Sequence, residues 1–180
     1  VYRTEADTEA DAVATINPNN LVYSVNPKAK EQETVFTAEG KTNVTLELVN
    51  NQKYIVLFWA QVNQTWVSGT SFDLTNITYP SALKANMNKY EAFSGVAYVG
   101  EVTGAAKKSV TLTRPFAQIN IGASDYDPYI TDFGFKMTSA ITCKAPSVLD
   151  VLDGSVSEEV DVKFDLAPIP YESGNQVLTK

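Results

Sequence analysis

The segment Lys53 to Val62, KYIVLFWAQV, constrains the fold more than any other stretch of the chain. Both of its period-two sets are apolar. Tyr54, Val56, Phe58 and Ala60 form one, and Ile55, Leu57 and Trp59 form the other. A strand that is dry on both sides has to sit in the middle of a sheet that is covered on both faces. Trp59 is therefore expected in the core. Tyr54 to Ala60 is the longest apolar run and is far too short to cross a bilayer.

Other segments alternate with one wet side. Val44, Leu46 and Leu48 are separated by Thr45 and Glu47. Phe133, Phe135 and Met137 are separated by Gly134 and Lys136. Val160, Val162, Phe164 and Leu166 are separated by Asp161, Lys163 and Asp165. Strands of this kind belong to sheets that bury one face, as in a sandwich. Further strands are expected near 12–16, 20–25, 33–38, 65–73, 95–102 and 107–122, with turns at Asn17-Pro18, Asn26-Pro27, Glu39-Gly40 and Asn50-Asn51.

The stretch 110–122 changes parity. Val110 and Leu112 are even, whereas Ala117, Ile119 and Ile121 are odd. A strand does not change faces without a bulge or bend, and Pro115 lacks the N–H that a central ladder needs. A corner at Arg114-Pro115 between two sheets is expected. One helix is expected at 81–92, after Pro80, with Leu83, Met87 and Tyr90 on one side. The fold class that follows is all-β, a sandwich. Val1 to Asp11 is acidic and reads as a flexible leader. A first β-sandwich domain is expected at 12–123. A polar, turn-rich stretch in 123–131 precedes the start of a second at 131–180.

Composition narrows the chemistry. The chain has 180 residues, a formal net charge of −7 and two arginines, Arg3 and Arg114. Such a chain repels phosphate backbones, so no nucleic-acid partner is expected. The lysines are scattered and make no basic patch for anionic lipid. There is no histidine, which removes Ser-His-Asp and Cys-His mechanisms and most zinc sites. Cys143 is the single cysteine, and with no histidine to activate it, it reads as a buried, inert thiol. No phosphate-binding loop, dinucleotide fingerprint or nucleophile elbow is present. The chain is therefore not expected to be an enzyme or to hold a cofactor or metal.

Weaker candidates remain. Asp125, Asp127 and Asp132 could supply carboxylates to a hard cation, but Tyr129 breaks the calcium-loop spacing and a solvated turn is the plainer reading. Asp150, Asp153 and Gly154 form a second acidic turn. Trp66, beside a glycine turn, could join Trp59 and Tyr79 in an aromatic platform for sugars. The sequons at Asn43, Asn63 and Asn76 are chance matches in a chain rich in Asn and Thr.

Three stretches in order carry a family resemblance: Tyr54-Ile55-Val56-Leu57-Phe58-Trp59-Ala60-Gln61, then Tyr90-Glu91-Ala92-Phe93-Ser94-Gly95, then Val110 to Ile121 through Arg114-Pro115-Phe116. Asp150 to Gly154 and Phe164 to Pro170 follow them. Together, over about 50–170, the chain resembles the fimbrillin superfamily, the type V pilins and related surface lipoproteins of Gram-negative gut and oral anaerobes. The resemblance implies an all-β, Greek-key fold of transthyretin- or immunoglobulin-like type in two sandwich domains, the second incomplete here, with export to the bacterial cell surface and outer membrane, and assembly into fimbriae by donor-strand exchange after a protease trims an N-terminal segment. Arg3 is the candidate for that cut. The chain lacks the lipid-modified cysteine of relatives and stops at Lys180 where they continue, so a fragment or trimmed form is expected, with membrane attachment only through an anchor absent from this chain. The implied function is a structural subunit or adhesin of a surface fibre. Its partners would be other pilin subunits or host and bacterial surface ligands. The alternative is a surface-anchored glycan-binding protein on the same scaffold, with Trp66 as its platform.

Overall fold

In the computed structural model of the chain, the doubly apolar segment is the middle strand of a sheet. The structure describes residues 1–22, 40–61, 73–78, 91–117, 121–122, 139–166 and 177–179. Strand β1 (Tyr2–Thr4), β2 (Lys53–Gln61) and β4 (Ala92–Glu101) form a three-stranded antiparallel sheet in the order β1-β2-β4. A second antiparallel sheet has the order β3-β6-β7, with β3 at Ile77–Thr78, β6 at Ser139–Leu149 and β7 at Val156–Leu166. A short third pairing joins β5 (Ile121–Gly122) to β8 (Val177–Thr179). The fold is all-β and sandwich-like, with one short helix among the described residues, α1 (Glu9–Thr15).

The core lies between the first two sheets. Ile55 and Leu57 of β2, Tyr2 of β1 and Ala12 of α1 meet Ile77 of β3 and Leu149, Val151 and Leu152 at the β6–β7 turn. Ile55 is 0% exposed. Residues expected from sequence to belong to separate domains, 12–123 and 131–180, thus share one cluster. The stretch in which the boundary was expected, 123–131, lies outside the described residues.

The expected double burial of β2 holds for its first half. Tyr54, Ile55, Val56 and Leu57 are all buried, whereas Phe58 to Gln61 are half-buried. Trp59 packs against the edge of the core, its ring meeting Phe116 edge-on at 6.4 Å. Trp59, expected in the core, thus stands half-buried at its margin, where β2 runs out from under its cover.

On the other face of β2 and β4, Val110 to Leu112 cross close over Gly95. A Cβ at Gly95 would stand 2.8 Å from Leu112 Cδ2 and 3.3 Å from the Thr111 carbonyl oxygen. Gly95→Ala is therefore expected to cost about 1–3 kcal/mol by overpacking. The check is a lower urea midpoint at unchanged denaturant slope. Where β4 meets the start of β2, the register slips between Tyr54 and Ile55, which pair with Gly100 and Tyr98, leaving Val99 as the extra residue of a bulge. Gly100 sits there at φ +76°.

The expected corner is present as a bend. Thr113 makes a single bridge to Ser94 of β4, with hydrogen bonds of 2.9 Å in both directions. The chain then bends at Pro115-Phe116, and Ile121 pairs with Thr179 in a different sheet. The rest of the expected 107–122 strand, through 107–112, is outside any ladder.

Several other expectations are corrected. The leader at 1–11 is strand β1 and the start of α1. The strand expected at 12–16 is mostly the remainder of that helix. Thr8 caps the helix, accepting from the Asp11 amide at 3.2 Å and donating its hydroxyl to Asp11 Oδ2 at 2.8 Å. This is a threonine N-cap, with the N3 carboxylate bonded to the capping hydroxyl, and a strand reading of residues 12–16 overlooks it. Residues 44–48 alternate as expected but join no ladder. Leu46 and Leu48 are half-buried and Val44 is exposed: alternation marks an extended amphipathic segment and does not guarantee a hydrogen-bonded neighbour. Of 20–25, Leu21 makes one bridge to Tyr2, and 23–25 lie outside the described residues. So do the strands expected at 33–38 and 133–137, the strand expected at 65–73 apart from Asp73, and the helix expected at 81–92 apart from its last two residues, of which Ala92 opens β4.

Candidate functional site

The sequence places its strongest site residue, Arg3, in a disordered leader. The structure places it in the middle of β1, paired with Tyr54 of β2. Alternation puts Tyr2 and Thr4 into the core, at 4% and 6% exposure, and turns the Arg3 side chain outward. The strand is short and the chain around it closes down on it. Tyr2 bridges Leu21 on its other side, and the Val22 amide donates to the Val1 carbonyl at 3.1 Å.

The segment after β1 is pinned by long-range contacts. Lys53 Nζ donates to Asp7 Oδ1 at 2.6 Å and to the Glu5 carbonyl at 3.2 Å. The Tyr98 hydroxyl donates to the Ala6 carbonyl at 2.6 Å. Partnership with Lys53, through its hydrogen bond and its charge, lowers the pKa of Asp7, and Asp7 in turn raises that of Lys53. Asp7 is open to water and Lys53 partly so, so this pair orients the arm more than it holds it. The holding force is the burial of Tyr2 and Ala12. Burial raises the Tyr2 hydroxyl pKa, and the carboxylates of Asp73 and Asp150 raise it further.

Those carboxylates belong to turns. Asp73 Oδ1 accepts from the Thr75 amide at 3.0 Å and hydroxyl at 2.6 Å. Asp150 Oδ1 accepts from the Leu152 amide and Asp153 Oδ1 from the Ser155 amide, each at 2.7 Å. Gly154 closes the β6–β7 turn at φ +73°, donating to the Asp150 carbonyl at 3.0 Å. The expected acidic turn is therefore built, and its carboxylates are used as local caps. Among the described residues, no group of three acids or thiols is placed to hold a metal ion.

The hydrogen bonds from Ser155 lower the pKa of Asp153. Asp150 moves the other way: burial raises it first, the Leu152 amide opposes that, and the charges of Asp153 and Asp73 add to the rise. A carboxyl raised on folding favours the folded state below its unfolded pKa, and that benefit is lost as pH rises through the folded value. Asp150→Asn keeps an oxygen for the Leu152 amide and removes the charge. It is expected to stabilise the protein at neutral pH, with the gain vanishing below about pH 4, where the unfolded carboxyl is also protonated. Thermal melts of both forms across that range test the sign.

The remaining candidates do not converge on this place. Trp66 and Tyr79, and the trio Asp125, Asp127 and Asp132, lie outside the described residues. Trp59 donates its indole N–H to Gln61 Oε1 at 2.7 Å. Arg114 pairs with Glu91 at 2.7 Å and lies over the Phe93 ring at 5.7 Å. Cys143, expected to be buried, is exposed on β6 opposite Val162. Its strand pairs with β7 over its full length, but β3 reaches only Val148 and Leu149, so this part of the sheet is a two-stranded ribbon among the described residues. Val156 and Val160 of that ribbon are 56% and 41% exposed.

A family model described as a family of unknown function (DUF6562) matches residues 5–179. No curated protein and no solved structure matches the chain. Among the described residues, no helix is long and apolar enough to cross a membrane.

Proposed function

Starting from a chain that belongs to the DUF6562 family, we propose that the protein is a structural subunit or adhesin of a bacterial surface fibre, exported to the cell surface and joined to its neighbours by strand addition. The observation that carries the reading is β1. A three-residue strand completes the sheet beside β2 and fills the core with Tyr2, yet its ladder to β2 is one of the shortest in the fold. When such a strand leaves, it uncovers backbone donors and acceptors along Lys53 to Ile55 together with an apolar recess. An extended segment with alternate apolar side chains satisfies both. The resemblance in Tyr54 to Gln61 and Val110 to Ile121 supports the same reading. No catalytic role is proposed.

Arg3 as a processing site requires β1 to peel away first, because a protease binds its substrate as an extended strand and the Arg3 backbone is already paired in one. The test compares the full chain with one lacking residues 1–8, by native mass spectrometry, with and without a synthetic peptide of residues 1–8. Concentration-dependent association of the shortened chain, suppressed by the peptide, is expected. A shortened chain that is folded by circular dichroism and remains monomeric at all concentrations would overturn strand addition at this edge. If the shortened chain does not fold alone, recovery of its fold by the peptide shows that the recess accepts a strand in trans, and failure of the peptide to restore it counts against the proposal.

A further inference from the structure

We infer that the connection following β4 is a proteolytic processing site, cut after Lys107 or Lys108 by an endopeptidase with an acidic specificity pocket, and that the two pieces stay assembled. The inference rests on exposure and anchoring in this part of the chain and is independent of the fibre reading.

The connection is held firmly at both ends and free between them. At its start, Val102 is buried and its backbone is bonded both ways to the β2 side. Its amide donates to the Gln52 carbonyl at 3.0 Å, and its carbonyl accepts from the Asn51 amide at 2.7 Å. At its far end, Thr113 makes the paired bridge to Ser94. Between these anchors every residue from 103 to 109 is exposed and none belongs to a strand or helix. Exposed connections of small and polar residues, between fixed ends, are where folded chains are nicked.

The sequence of the connection suits a lysine-directed protease. Thr103-Gly104-Ala105-Ala106-Lys107-Lys108-Ser109 puts three small residues ahead of two consecutive cations. With Lys107 in the specificity pocket, Gly104, Ala105 and Ala106 occupy the preceding subsites without a bulky or acidic side chain to reject. Nothing lies within 4 Å of a Cβ built on Gly104, so the segment has room to straighten into a cleft. Cleavage is ordinary hydrolysis. Water adds its hydroxyl to the lysine carbonyl carbon and its proton to the departing amine, leaving one carboxylate and one ammonium.

Among the described residues, Lys41 is likewise exposed and outside any strand, but the other basic residues are less available. Arg3, Lys53, Lys144 and Lys163 lie within paired strands. Arg114 is bound to Glu91 and is followed by Pro115, which blocks cleavage on its carbonyl side. Each of the four strand residues needs local opening before it fits a protease.

The pieces stay together because the core is built from both. Tyr2, Ala12, Ile55, Leu57 and Ile77 precede the cut, and Leu149, Val151 and Leu152 follow it. β3 of the first piece also pairs with β6 of the second. What the cut releases is the end of the second piece. The residues up to Thr113 are then held to β4 by the Ser94 bridge and the packing of Val110 and Leu112 over Gly95.

Limited digestion of the full chain with trypsin, read by intact mass under denaturing conditions and by size exclusion under native ones, is the test. The expected result is a first cut after Lys107 or Lys108 with an unchanged elution volume. The double variant Lys107→Gln/Lys108→Gln is expected to abolish cleavage between Thr103 and Ser109, where no other lysine or arginine stands. A first cut anywhere else, or separation of the two pieces under native conditions, overturns the inference.

Discussion

Ile55→Ala is expected to lower the unfolding free energy by about 4 kcal/mol, within the range for emptying a fully enclosed aliphatic site. Ile55 has no exposed surface and stands where β1, β2 and β4 meet. Its side chain belongs to the cluster that includes Tyr2, Leu57, Leu149 and Leu152. Strand pairing fixes the backbone on both sides, so neighbouring strands cannot collapse into the space, and the cavity term adds to the lost transfer energy. Equilibrium urea denaturation measures it, with a fall in midpoint at constant slope. Because domains of this size hold about 5–15 kcal/mol in total, the variant is expected to be marginal at 37 °C. A loss below about 1.5 kcal/mol would mean that the two sheets do not enclose this position.

Tyr2→Ala is expected to cost about 3 kcal/mol, at the low end for truncating a buried aromatic, since an end strand can adjust more than a central one. Tyr2→Phe is the control. It keeps the ring and removes a hydroxyl whose ionisation burial already disfavours, and it should stay within about 1 kcal/mol of the parent. If Tyr2→Ala proves as mild as Tyr2→Phe, the N-terminal strand is not part of the core and the recess beside β2 does not depend on it. If both hold as expected, the strand is a structural plug whose loss has a defined energy, the property that a strand-exchange subunit requires.

The parts of the fold that could be read in advance are those whose information is local. β2 announced itself because both alternation sets in Tyr54 to Ala60 are apolar. The bend at Pro115 followed from a parity change and a missing amide proton. β7 followed from Val160 to Leu166, although alternation fixed the strand and not its burial, as the exposure of Val160 shows. The N-terminus was misread for a physical reason. Acidic residues in Glu5 to Asp11 suggested a solvated leader, whereas acids in the first turn of a helix are favourable against its dipole, and the Thr8-to-Asp11 pair marks the start. Tyr2 carries no pattern of its own in three residues, so its burial against distant Ile55 and Leu149 could not be inferred locally. Cys143 misled for a different reason: the absence of an activating histidine bears on a thiol's reactivity and not on whether anything packs over it.

The composition of the core has a consequence for how the protein reaches its fold. Tyr2 is made well before Leu149, Val151 and Leu152, which surround it. The nucleus of such a domain cannot form on the leading half alone, because a long loop has to close before its apolar contacts are repaid. During synthesis the leading half therefore waits as an open sheet, with β2 and β4 able to pair early and β1 without its full surroundings. Folding is expected to be slow and late, committed when the β6–β7 turn docks. Of the strands that build this core, the one made earliest, β1, is then among the last to be sealed in place.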